Sequence, residues 1–197
     1  IVNSPVYGFP SRVDSISRAV TMIGTKEISA LALGISTVTI FKNIPEEILD
    51  MRMVLKHSLA CGIIARILAT FKNVMHTEKM FVSGLLHDIG RVLVYTYYPE
   101  QAKGLLQRAE NSGNCLYVEE SSFFGCSHTD IGKYLLQKWK LPLTIENNLF
   151  FHHNPSIADN TEQATIVHLA DILANGLGLG SSGERRVPPL DDIAWDK

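Results

Sequence analysis

Residues 84–90 read Gly84-Leu85-Leu86-His87-Asp88-Ile89-Gly90. The stretch is apolar at helical spacing, interrupted by one polar pair and ended by glycine. Neutral imidazole and carboxylate are ligands for divalent first-row metals, and an N/O mixture suits iron, manganese, zinc, nickel or cobalt. Adjacent helical residues differ by about 100° in direction, so both reach one ion only over the helix edge, near its end. Asp88 has two oxygens and can bridge two ions while His87 binds one. A single histidine beside apolar residues is ordinarily a hydrogen-bonded core side chain, so the weight falls on where the others lie.

Around this stretch the chain is helical by pattern. Ile28, Leu31, Ile35 and Val38 recur every three or four residues, as do Leu59, Ile63, Ile67 and Phe71, and Ile131, Leu135 and Trp139. Strict period-two alternation is rare. Pro10, Pro45, Pro99, Pro142 and Pro155 fall between the periodic segments. Helices are expected near 11–22, 25–41, 46–72, 78–96, 99–112, 115–123, 127–139, 143–151 and 161–177, an all-α domain over 1–178. Residues 179–197 are expected to form a linker or C-terminal tail, since the Gly/Ser/Pro-rich run GLGLGSSGERRVPP spans 176–189. Gly178, Gly180 and Gly183 spell G-x-G-x-x-G, but a dinucleotide loop must follow a strand and open a helix. Here the motif follows a helix and precedes Glu184, Arg185 and Arg186.

The chain has 197 residues with 18 Lys+Arg against 20 Asp+Glu, a formal charge of -2. That balance disfavours a DNA or RNA partner. Hydrophobic residues at 46% and charged residues at 19% exclude a globally disordered chain. Ile28–Phe41 is uncharged but short of the ~20 residues a bilayer needs. Ala164–Gly183 carries His168 and Asp171. No membrane partner is expected, and no signal-peptide pattern opens the chain. Cys61, Cys115 and Cys126 show no CxxC or CxH spacing and are expected to be inert thiols in a reducing cytoplasm.

Five of the seven histidines are His57, His87, His128 and the doublet His152-His153. Asp171 lies in Ile166-Val167-His168-Leu169-Ala170-Asp171-Ile172-Leu173. A carboxylate buried there without a partner would cost several kcal/mol. Because no Lys or Arg occurs between Lys140 and Arg185, no local ion pair is available and a metal becomes attractive. His168, one turn before Asp171, is a candidate outer partner.

The order His57, His87-Asp88, His128, His152-His153, Asp171 resembles the HD superfamily of metal-dependent phosphohydrolases, and most nearly its HDOD branch, a regulatory domain of bacterial signalling proteins. Several segments carry the resemblance: Val2-Asn3-Ser4 with Tyr7-Gly8, Ser15–Val20 with Gly24, and Gly84–Gly90. Glu119-x5-Gly125-x2-His128, Trp139-x-Leu141-Pro142, His152-His153-x-Pro155 and Val167–Asp171 add to it, over about residues 1–175. The family domain starts with further helices before the Asn-Ser motif, so the chain is expected to lack that N-terminal part.

The resemblance implies a site of two divalent transition ions (Fe, Mn, Ni or Zn). His57, His87, Asp88 and Asp171 would hold the first. Asp88 as bridge, with His128, His152 and His153, would hold the second. The related HD-GYP phosphodiesterases follow the doublet with an acidic residue and Gly-Tyr-Pro, whereas Asn154-Pro155-Ser156-Ile157 stands here. Arg91 replaces their Lys, and Met53 replaces the Glu of trinuclear relatives. A metal pair would activate a water and neutralise a phosphoryl oxygen, with Asp88 as bridge and Arg91 as the cation near the leaving group. The chain is therefore expected to be a cytoplasmic signal-transduction module with a retained metal site and protein partners. The alternative is a phosphohydrolase acting on a cyclic dinucleotide or another nucleotide. A third reading is a di-iron oxygen-activating enzyme. An open, basic cleft over the metals would favour a nucleotide, and a plugged one a non-catalytic site.

Overall fold

The computed structural model describes residues 44–195 together with Gly24, Thr25 and Ala32. The expected helix 11–22, the helix 25–41 apart from Thr25 and Ala32, the stripe Ile28–Val38 and the segments at Val2–Ser4, Tyr7–Gly8 and Ser15–Val20 lie outside the described residues. Nine α-helices run in chain order through the described part: α1 Met51–Phe71, α2 Thr77–Leu86, α3 Ile89–Tyr97, α4 Pro99–Ser112, α5 Leu116–Phe124, α6 His128–Lys138, α7 Leu143–Phe151, α8 Thr161–Gly176 and α9 Asp192–Trp195. A 3₁₀ turn at Pro155–Ile157 precedes α8, and the described residues contain no strand. The fold is all-α.

Local chemistry sets the helix starts. The Asp50 side chain accepts from Arg52 N at 2.8 Å and caps α1. The turn before it, where Ile48 N donates to Pro45 O, takes up residues that periodicity had assigned to a helix from 46. Ser127 and Asp130 form a capping box on α6. Asn160 accepts from Gln163 N at 3.1 Å and caps α8.

One expected helix is two. The run 78–96 breaks after Leu86, where His87 is still right-handed helical but Asp88 turns to φ -101°, ψ 14°. Periodicity cannot show this break because apolar residues continue on both sides of it. Tertiary contact requires it, because α3 must lie against α6. A Cβ on Gly90 would sit inside the backbone carbonyl of His128.

The core lies between α1, α2, α3, α6 and α7. Leu86, Leu136 and Leu149 are fully buried there, each contributing about 1.5–3 kcal/mol by burial. α1 packs on α2 and α8 through small residues, with Cys61, Gly62, Ala65 and Ala69 buried. Of the stripe read from the sequence only Ile63 packs on the core. Leu59 is 48%, Ile67 60% and Phe71 82% exposed. A close helix crossing selects small residues, so Leu59, Ile67 and Phe71 do not mark the inner face of α1, whereas Val54, Ile64 and Leu68 do. By length and composition α1 is apolar enough to cross a membrane.

The segment expected as a linker returns to the helices. Ser181 N donates to Met53 O at 3.0 Å, Tyr95 OH to Ser182 O at 2.7 Å, and Leu116 N to Glu184 Oε2 at 2.7 Å. Gly180, at φ +88°, touches the backbone of Met53 and His57 where a side chain has no room. Gly180 and Gly183 serve close approach.

Candidate metal centre

Five elements converge on one buried point. His57 comes from the second turn of α1, and His87 and Asp88 from the α2–α3 break. His128 is the first residue of α6, His152 and His153 follow α7, and Asp171 lies in α8. His57, His87 and His152 are fully buried, and Asp88, His128 and Asp171 are at most 4% exposed; His153 is partly buried. All seven predicted residues are brought together.

The backbone orients the imidazoles. His87 Nδ1 donates to Gly84 O and His152 Nδ1 to Leu149 O, both at 2.7 Å. His128 Nδ1 donates to the Glu120 carboxylate, which also accepts from His128 N at 2.9 Å. A proton committed at Nδ1 leaves a lone pair at Nε2. Nε2 of His87, His128, His152 and His153 are all buried without a hydrogen-bond partner. His128 Nε2 lies 3.1 Å from Asp88 Oδ1, and both atoms remain unpartnered. A cation between them, a proton or a metal ion, would satisfy both atoms. His153 is fixed by stacking on Tyr117, centroids 4.1 Å apart.

Asp88 spans both halves. Its Oδ2 is 3.2 Å from His87 Nε2 and 3.8 Å from His57 Nε2, while Oδ1 faces His128. Asp171 Oδ1 lies 3.2 Å from His57 Nε2 and 3.5 Å from His87 Nε2, and it accepts from Asn175 Nδ2 at 2.7 Å. Both carboxylates thus surround one imidazole nitrogen, well inside the ~10 Å that a shared centre allows with ligand bonds of about 2 Å.

The electrostatics favour a cation. Burial opposes charge on Asp88, yet Arg91 and His87 hold its carboxyl well below the usual range. Burial also opposes charge on His87, but the Asp88 and Asp171 carboxylates push it up to about 10. A field that holds a proton on a buried imidazole also attracts a divalent ion. His152 goes the other way, down to about 3, through burial and then the neighbouring His87 and His128. It stays neutral, as a ligand must. Burial and the Asp171 and Asp88 charges push the Cys61 thiol well above its ordinary range.

Arg91 is not a surface residue. It is 3% exposed and donates to Glu120 Oε1 at 2.8 Å, Ser182 Oγ at 3.0 Å and Asp88 Oδ2 at 3.2 Å. Glu184 Oε2 stands 3.9 Å from its guanidinium. Glu120, Ser182 and Glu184 were not anticipated. Glu119 fitted the quoted spacing to His128, but it is buried towards α4 and bound by Arg108 and Asn114. The next residue, Glu120, faces inward. Burial works against its charge, but His128 and Arg91 hold it down to about 2. His168 is an outer partner, with Nδ1 donating to His152 O at 2.7 Å and Nε2 accepting from Asp191 N at 3.0 Å.

Residues 1–155 match the HDOD domain model. An uncharacterised protein of Treponema pallidum (strain Nichols) is 26% identical over 156 residues, covering 78% of this chain and 30% of that protein. An HDOD domain protein of unknown function from Geobacter sulfurreducens superposes with a TM-score of 0.81 at 24% identity, over 99% of this chain and 67% of the other. A suspected metal-dependent phosphohydrolase of Shewanella amazonensis SB2B superposes with a TM-score of 0.62 at 18% identity, over 100% of this chain and 72% of the other. The chain thus spans under a third of its Treponema relative's length. With most of its length matched by the family model and the ligand order intact in space, the chain belongs to the HDOD domain family.

Proposed function

We propose that the chain is a cytoplasmic signal-transduction module whose helices are tied together by a retained two-ion centre, and that it works through protein partners rather than by turnover. The carrying observation is the environment of Arg91. A cation free to meet the leaving group assists phosphoryl transfer at a metal pair. Arg91 is instead committed to Asp88, Glu120 and Ser182 and closed over by the 180–184 segment. The near-neutral charge of the chain supports protein partners over nucleic acid. When bound, two divalent ions would supply charge neutralisation and a water of lowered pKa. His57, His87, Asp88 and Asp171 would hold one, and Asp88, His128, His152 and His153 the other. The second reading, a phosphohydrolase for a cyclic dinucleotide or another nucleotide, is favoured by the complete ligand set. Its likeness to the Shewanella protein bears on fold alone.

The test loads the protein with divalent metal and follows products from a panel of cyclic and linear nucleotides. No turnover with two ions bound is the expected result. His128→Ala is expected to halve the metal content while keeping the fold, because the remaining side chains of the first site do not depend on it. Robust turnover by the parent protein that disappears in His128→Ala would establish the phosphohydrolase instead.

A further inference from the structure

One group of donors at the centre goes beyond the imidazoles and carboxylates. Cys61 lies four residues after His57 on α1, hence on the same helix face. Its Sγ is 3.5 Å from His57 Nε2, and both residues are fully buried. Cys61 Sγ, a nitrogen each of His57 and His87, and an Asp171 oxygen all lie within 4.8 Å of one another. The measured edges are 3.5 Å for Cys61–His57, 3.2 Å for His57–Asp171 and 3.5 Å for His87–Asp171. Metal–ligand bonds of about 2.0–2.3 Å place neighbouring donor atoms about 3–3.7 Å apart around a four- or five-coordinate ion. Independently, His87 Nε2 is fully buried, has no hydrogen-bond partner and points into this group, held there by its Nδ1–Gly84 O bond.

We infer that Cys61 is a sulfur ligand of the first ion, alongside His57, His87, Asp171 and the bridging Asp88, and that this site selects a thiophilic divalent ion. On binding, the S–H proton leaves to solvent as the sulfur–metal bond forms, with no change of oxidation state. A thiolate turns the site towards zinc, iron(II) or cobalt(II) and away from magnesium and manganese. The inference rests on the metal-centre reading above and sharpens it.

Cobalt(II) reports sulfur ligation directly, through a thiolate-to-metal charge-transfer band in the near ultraviolet. The protein is stripped with chelator, reloaded with cobalt(II), and its cobalt content and spectrum are recorded. The band is expected in the parent protein and in Cys115→Ser/Cys126→Ser, where Cys61 is the sole cysteine. It is expected to vanish in Cys61→Ala. Loss of the band in the double variant, or its survival in Cys61→Ala, would overturn the inference. Cobalt bound by the parent protein without the band would overturn it too, leaving an all-N/O centre. Failure to bind cobalt at all would overturn the metal-centre reading itself. Should Cys61→Ala not fold, the double variant alone decides.

Discussion

Replacing Asp88 with alanine is expected to yield a protein that holds no transition metal. Asp88 is the side chain whose two oxygens face the two halves of the centre, Oδ2 towards His87 and His57 and Oδ1 towards His128. Without it neither half keeps its carboxylate bridge. The lesion also removes one of the carboxylates around Arg91, which is buried. Removing one partner of a buried pair costs about 3–5 kcal/mol, although Glu120 still compensates part of the Arg91 charge. Elemental analysis should therefore fall to zero ions per chain, and chemical denaturation should show a large loss of stability. Retention of either ion in Asp88→Ala would contradict the bridging role.

Gly90→Ala is expected to be nearly as damaging, although alanine is the better helix former. Propensity alone would favour the substitution by about 1 kcal/mol in a helix interior. Against that stands the His128 carbonyl, which the new Cβ would penetrate. Overpacking against side chains costs about 1–3 kcal/mol. Here the obstructing atom is backbone and cannot rotate away, so the steric cost wins. Relief requires α3 and α6 to separate, and that carries His128 away from Asp88. The expected result is a lowered denaturation midpoint together with loss of the second ion. An unchanged or raised midpoint would show that the α3–α6 contact is looser than described.

The helices were legible because their apolar periodicity is local. α4 and α7 occupy 99–112 and 143–151, as expected. What local pattern missed was imposed from outside each segment. The His87–Asp88 break serves the α3–α6 contact, and nothing within 78–96 records it. On α1 Leu59, Ile67 and Phe71 misled, because the closest part of the face that meets α2 and α8 is built of Cys61, Gly62, Ala65 and Ala69. The Gly/Ser-rich run after 176 has the composition of a linker, yet small residues also permit backbone to lie directly on backbone, as at Gly180.

The centre was legible in its innermost part. His57, His87, Asp88, His128, His152, His153 and Asp171 stand in an order that a family resemblance could carry, and all seven meet. The surrounding groups had no such signal. Glu119 and Glu120 differ by one residue, and only the direction of α5 shows that Glu120 reaches His128 and Arg91. Ser182 and Glu184 come from a segment far along the chain, beyond any spacing rule. Cys61 stands i, i+4 from His57, a relation that a search for CxxC spacing passes over.

The central claim is that these seven side chains hold two transition ions that tie the helices together. Its most direct test is the metal-to-protein ratio of protein purified without chelator, with thermal melts before and after chelation. The account predicts two ions per chain and a melting midpoint that falls when they are removed, since a ligand bound only by the folded state stabilises it. Metal-free protein whose midpoint is unmoved by chelator or by added divalent metal would contradict it.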